Sequence, residues 1–135
     1  MKSVLDEISD IIEWYRQEYS GAGIEHLMNA KSKLLVLLAR FSEEVSAHKR
    51  ESVMATVFRK ADHHDRKARM IDDGFTQGLA ESKTIASLRS QYTEEAKREA
   101  IFFKSKLIFD VAVKITDDLQ QRIAYLRKER ELSNG

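Results

Sequence analysis

Two adjacent histidines flanked by carboxylates, in Ala61-Asp62-His63-His64-Asp65-Arg66-Lys67, are the side chains of this chain best suited to hold a metal ion. The surrounding pattern is helical. A helix offers a metal two ligands on one face only at i and i+3 or i+4. His63 and His64 instead point about 100° apart, so a second element or a second subunit would have to complete a site. The plainer reading is a polar, partly exposed helix surface, and no metal or cofactor is assigned.

Cations form the next constellation. Lys49, Arg50, Arg59, Lys60, Arg66, Lys67, Arg69, Lys97 and Arg98 are candidates for contact with nucleic-acid phosphates, and Lys83, Arg89, Lys104 and Lys106 lie in the same stretch. Such a cluster binds phosphate with an affinity that falls steeply with salt. Glu51, Asp62, Asp65, Glu94, Glu95 and Glu99 are interleaved with it. These acids can pair with the cations at helical spacing, which would leave a solvated, charge-paired face. Tyr92 and Phe75 have rings that would stack on bases, or that pack the turns where they lie.

Nothing in the residues specifies catalysis. Gly74-Phe75-Thr76-Gln77-Gly78 lacks the Gly-Lys-Ser/Thr of a phosphate-binding loop. Asp117 and Asp118 are adjacent and face different ways on a helix. With no Cys in the chain, disulfides, thiolate metal sites and Cys nucleophiles are excluded, which suits a reducing cytosol. The reading is not an enzyme.

The formal net charge of +1 gives the molecule no steering field. Its distribution is uneven. Residues 1–47 carry 5 basic and 8 acidic side chains (−3), residues 48–106 carry 13 and 9 (+4), and residues 107–135 carry 5 and 5. The longest apolar run, Leu34–Ala39, falls far short of the roughly 20 residues of a membrane span. The N-terminus lacks a signal segment. The expectation is a protein of the cytoplasm with no membrane contact.

Positioning these residues falls to long helices. Pro is absent, charged residues make up 33%, and no alternating strand pattern appears. Ser3, with Asp6 three residues on, predicts a capped helix over Ser3–Tyr19. Val4, Leu5, Ile8, Ile11, Ile12, Tyr15 and Tyr19 mark its apolar face, and Trp14 lies at the bundle edge. Ser20–Gly23 is a short link that folds the next helix back as an antiparallel neighbour. Ile24–Ile71 contains neither Gly nor Pro and predicts one helix of roughly 70 Å. Its stripe is Ile24, Leu27, Met28, Leu34, Leu35, Leu38, Phe41 and Val45. It thins over Ser46–Ser52 and resumes with Val53, Met54, Val57, Phe58, Ala61, Ala68 and Ile71.

Asp72–Thr76 predicts a turn, with Gly74 left-handed and Thr76 capping a short helix over Gln77–Leu88 that carries Leu79, Ile85 and Leu88. Ser90–Glu94 is weakly helical, and Thr93 is placed as the cap of a last helix over Thr93–Leu132. The seam expected there is Ala96, Ala100, Phe103, Leu107, Val111, Ile115, Leu119, Ile123 and Leu126. The fold class is all-α: one domain over 1–135, an elongated antiparallel hairpin of two long helices with a short N-terminal helix and a short tip helix. Phe102, Phe109, Val113, Val36 and Leu37 fall off the expected seams, which predicts a homo-oligomer, a dimer or higher.

Two segments, Asp73-Gly74-Phe75-Thr76-Gln77-Gly78-Leu79-Ala80-Glu81-Ser82-Lys83 and Gln121-Arg122-Ile123-Ala124-Tyr125-Leu126-Arg127-Lys128-Glu129, together resemble a class of small all-helical proteins of tailed bacteriophages and prophages. That class combines a long helix, a turn with a small-residue segment ending in Ala-Glu, and a late Gln-Arg-Ile-x-x-Leu-x-x-Glu helix. The resemblance spans residues 24–132. It implies a phage protein without an assigned activity, associated with early replication and recombination genes, and it carries over no catalytic residues. The functional expectation is an accessory binding protein contacting DNA or a DNA-processing complex through its basic half. The alternatives are inhibition of a host defence protein by protein–protein contact and a structural or assembly role in the particle.

Overall fold

Ser3 opens the first helix. Its backbone is extended and its hydroxyl accepts the Asp6 N–H at 3.1 Å, satisfying one of the helix's free donors. In the computed structural model, which describes residues 2–134, four helices follow. They are α1 (Val4–Glu18), α2 (Ile24–Asp72), α3 (Gln77–Ser87) and α4 (Arg89–Asn134), with a 3-10 turn at Tyr19–Gly21 after α1. The long helices α2 and α4 pack against each other as an all-α hairpin. No helix among the described residues is long and apolar enough to cross a membrane.

The breaks follow backbone chemistry. Gly74 has φ +97°, a conformation that favours glycine, and closes α2. The Thr76 hydroxyl accepts the Leu79 N–H at 3.3 Å and caps α3. The break before the last helix lies at Leu88, not at Ser90–Glu94. Leu88 is fully buried, and its N–H bonds to the carbonyls of Thr84 and Ile85. Thr93 is no cap: its hydroxyl donates back to the Arg89 carbonyl at 3.0 Å within α4. Burial of one leucine outweighs the capping preference of an exposed threonine.

The chain divides into two compact units, 1–45 with 106–135, and 46–105. The first holds the apolar core. Ile8 and Ile11 of α1, Leu27, Leu34, Leu37, Leu38 and Phe41 of α2, and Ala112, Ile115, Leu119 and Ile123 of α4 are buried together. Trp14, Tyr15, Ile108, Phe109 and Leu126 pack on its rim. The expected α4 seam is corrected upstream of Ile115. Leu107 is 65% exposed and Val111 also faces out, while Ile108, Phe109 and Ala112 turn inward. Ile108, Ala112, Ile115, Leu119, Ile123 and Leu126 keep the three–four spacing of a paired helix, and the small side chain at Ala112 permits close approach. On α2, Leu37 is buried, whereas Met28 and Leu35 are exposed.

The second unit contains α3 and the parts of α2 and α4 beside it. Its buried side chains are few: Ala80, Thr84, Leu88 and Ser105. Here the expected α2 stripe is reversed. Met54, Val57 and Phe58 are 46%, 50% and 60% exposed, Val53 and Ile71 face out with them, and Ala61 and Ala68 are also exposed. On α4, Ala96, Ala100 and Phe103 are exposed as well. The half-buried positions of α2 here are Ala47, His48, Ser52, Ala55, Thr56, Arg59, Asp62, His63, Arg66, Lys67 and Met70.

Two measurements follow. Amides of α2 and α4 in the second unit should exchange with deuterium faster than those in the first, because little apolar area closes over them. Uniform protection along α2 would contradict this. In the first unit, the Tyr15 hydroxyl donates to Asp118 at 2.9 Å, and burial with that carboxylate pushes its pKa up from 10.0 to about 12. The folded state holds this proton more tightly than the unfolded chain does. The linked stability is intact below pH 10 and declines as pH rises toward 12. Tyrosinate absorbance should show a late step near pH 12 that Tyr15→Phe removes.

Candidate functional site

The inward faces of α2 and α4 in the second unit form a polar seam built from helical spacing. Thr56, Arg59, His63 and Arg66 recur every three or four residues on α2, and Tyr92, Glu95 and Arg98 do so on α4, with Gln91 beside Tyr92. Glu95 is the centre. Arg59 reaches it with Nε at 2.7 Å and Nη2 at 3.0 Å, and the Thr56 hydroxyl donates to it at 3.0 Å. The two charged side chains are only 18% and 15% exposed. The Arg59 hydrogen bonds, helped by Thr56, hold the Glu95 carboxyl below its usual value despite partial burial.

The seam continues through rings. The Arg59 guanidinium lies over Tyr92, 4.8 Å from the ring centroid. The Tyr92 hydroxyl is 3.2 Å from His63 Nδ1, and His63 Nε2 is 3.1 Å from Glu81 of α3. In the neutral imidazole with the proton on Nε2, that N–H donates to Glu81 and Nδ1 accepts from Tyr92. Lys67 also meets Glu81, at 2.8 Å, and is the main cause of the lowered Glu81 pKa, with His63 second. Gln91 donates to Asp62 at 2.8 Å. Arg66 donates to the Ser87 carbonyl and hydroxyl. Arg98 bridges Glu51 and Glu94 at 2.8 and 2.7 Å.

The candidate cations therefore divide. Arg59, Lys67 and Arg98 are engaged by carboxylates, and Arg66 by Ser87. Lys49, Arg50, Lys60, Arg69 and Lys97 have no ion-pair partner among the described residues and are exposed. At the helical period Lys60 and Arg69 lie roughly 80° and 100° to opposite sides of Arg50 and so roughly 180° from each other, while Lys49 falls within about 20° of Lys60, so the free cations of α2 do not make one basic face. His63 is absorbed by hydrogen bonds, while the adjacent His64 faces out. No group of three or more His, Asp or Glu side chains among the described residues is placed to hold a metal ion. Phe75 lies under the Lys83 ammonium, 4.6 Å away, and Tyr92 under Arg59, so both rings are occupied within the turn region.

A groove lies beside the seam. Met54, Ala55 and Phe58 form its apolar floor, and Glu51, Asp62, Gln91, Glu94 and Arg98 its rim, enclosing about 470 Å³. Residue spacing misses this site because Met54 and Phe58 fit a helix–helix stripe equally well. The signal that finds the seam is the second three–four series, Ser52, Thr56, Arg59, His63 and Arg66, of which Thr56, Arg59 and His63 meet Glu95 and Tyr92 of α4 in antiparallel order and Arg66 meets Ser87 of α3.

The seam sets a testable energetic balance. Arg59→Met leaves Glu95 half-buried without its cation and should destabilise the fold by about 1–3 kcal/mol in denaturant melts. Arg59→Met with Glu95→Leu should recover most of that loss, since an apolar pair removes the desolvation cost. Additive losses in the double variant would contradict this account. The depressed Glu81 and Glu95 values give the pH sign: the seam's contribution is present above the ordinary carboxylate value of 4.5 and is lost as pH falls below it through the lower folded values. Comparison of the chain with family models, curated proteins and solved structures returns no match.

Proposed function

We propose that this chain is a non-enzymatic binding protein that works by protein–protein contact through the second unit. The observation that supports the reading is the groove of Met54, Ala55 and Phe58, an apolar floor left open where helix packing ordinarily closes it. Three carboxylates, Glu51, Asp62 and Glu94, stand around it against one cation, Arg98. The complementary partner is a helix or extended segment with an apolar anchor flanked by Lys or Arg. The resemblance to phage accessory proteins supplies the setting: a host protein or a component of a replication or recombination complex presents that segment.

Nucleic-acid contact is the competing reading. It rests on the five exposed cations without ion-pair partners, but their scatter around the helices and the acidic groove rim favour protein over phosphate.

The test is a photo-crosslinking residue at Ala55, on the groove floor, in cells that produce the full chain. A discrete adduct with a different protein is expected, lost when Glu94→Arg reverses the rim. No adduct, or an adduct that nuclease removes, would overturn the reading, the latter in favour of nucleic acid.

A further inference from the structure

The outward face of α2 in the second unit carries a second pattern, which shares Glu51, Met54 and Phe58 with the groove. Between Ala47 and Ile71, side chains recur at alternating steps of three and four. Ala47, Met54, Ala61 and Ala68 occupy one core position of a seven-residue repeat, and Arg50, Val57, His64 and Ile71 the other. Six of these eight are apolar. All are exposed except Ala47, which is half-buried. A repeat sustained over about three and a half heptads is the signature of a two-stranded coiled coil. It is confined to this unit: Arg40 and Glu43 hold the next core positions upstream, and Gly74 ends the helix downstream.

We propose that this face pairs with the same face of a second copy as a parallel coiled coil. The flanking charges supply the occupant and its direction. On one flank lie Glu51, Phe58, Asp65 and Asp72, and on the other Val53, Lys60 and Lys67. In a parallel pair each residue of the second flank meets the first-flank residue five positions on in the other chain. Lys60 then meets Asp65 of the second copy, Lys67 meets Asp72, and Val53 meets Phe58. Two charge-complementary contacts and one apolar contact result on each side. In an antiparallel pair like flanks meet, bringing Lys60 and Lys67 against lysines and Glu51, Asp65 and Asp72 against carboxylates. Lys60, Asp65 and Asp72 have no ion-pair partner among the described residues, and Lys67, held by Glu81, remains partly exposed. Arg50 and His64 interrupt the apolar core, which makes the association moderate rather than tight.

This goes beyond the binding function proposed above and does not rest on it; the second copy and the groove's partner compete for Glu51, Met54 and Phe58. The measurement is sedimentation equilibrium of the full chain. Wild type should show a concentration-dependent mass rising from 15.6 kDa toward twice that. Val57→Glu should weaken association at least tenfold with helical circular dichroism unchanged. His64→Leu should strengthen it about tenfold, as expected for an apolar residue at a core position. Lys60→Glu should weaken it, and Lys60→Glu with Asp65→Lys should restore it. Because the chain has no Cys, Ala47→Cys reports direction: oxidation should link a parallel pair through facing core positions and leave an antiparallel pair unlinked. A monomer at all concentrations, a dimer indifferent to Val57→Glu, or a dimer that Ala47→Cys does not link would each overturn the proposal. A foreign partner captured at Ala55 by a monomeric chain would also overturn it while sustaining the groove reading.

Discussion

An unbroken helix cannot choose its faces residue by residue, and this constraint governs the second unit. At 3.6 residues per turn, turning Arg59 toward α4 also turns Thr56, His63 and Arg66 toward it, and turns Val57, Ala61 and His64 away. Nothing between Ile24 and Asp72 breaks the register, since that stretch has neither Gly nor Pro. The charged pair Arg59–Glu95 and the exposure of Met54, Val57 and Ala68 are therefore one fact. The helix carries two three–four series on opposite sides, one polar and one apolar, and the polar series meets α4.

The energetics of that choice are unlike those of an ordinary core. In the first unit, Ile8, Leu27, Leu34, Phe41 and Leu119 lose almost all solvent contact, and burial of apolar area supplies the driving force. In the second, the groups brought together carry charges whose desolvation offsets much of their attraction. The seam limits that cost by partial exposure and by satisfying its acceptors: Glu95 takes three donors from two side chains, and Glu81 is shared by His63 and Lys67. Such a seam contributes specificity of register more than stability. A shift by one turn would leave Arg59 facing Gln91 or Glu99 in place of Glu95, and Tyr92 without His63.

Much of the fold was legible from residue types. Ser3 and Thr76 as caps, Gly74 as the left-handed stop and the reach of α2 all follow from local chemistry, and local chemistry is what a sequence displays directly. The faces were less legible. On α4, Phe103, Leu107 and Val111 compete with Ile108, Ala112 and Ile115 for the inward position, and the larger side chains look like the better core. Ala112 wins because helix approach is limited by the bulk between the axes, a property of two helices jointly. The break at Leu88 is of the same kind: Thr93 has the capping side chain, but only the tertiary position of α3 decides which residue is buried at the bend. Among the candidate site residues, type identified the cations but not their partners. Arg59 and Lys60 are neighbours of equal charge, and one is enclosed by Glu95 and Tyr92 while the other faces solvent.

The separation of roles follows from the same geometry. Of the nine candidate cations, four, Arg59, Arg66, Lys67 and Arg98, are held by acceptors in the seam, and the other five face solvent. Side chains that might have formed a core are displaced to the surface in a regular order. The apolar side chains of that face, Met54, Val57, Ala61, Ala68 and Ile71, stay exposed within the hairpin, and a contiguous exposed apolar face marks a surface for association. The polar interior and the apolar exterior are then parts of one arrangement: hydrogen bonds hold the hairpin in register, and the apolar area withheld from the hairpin is what remains available for association.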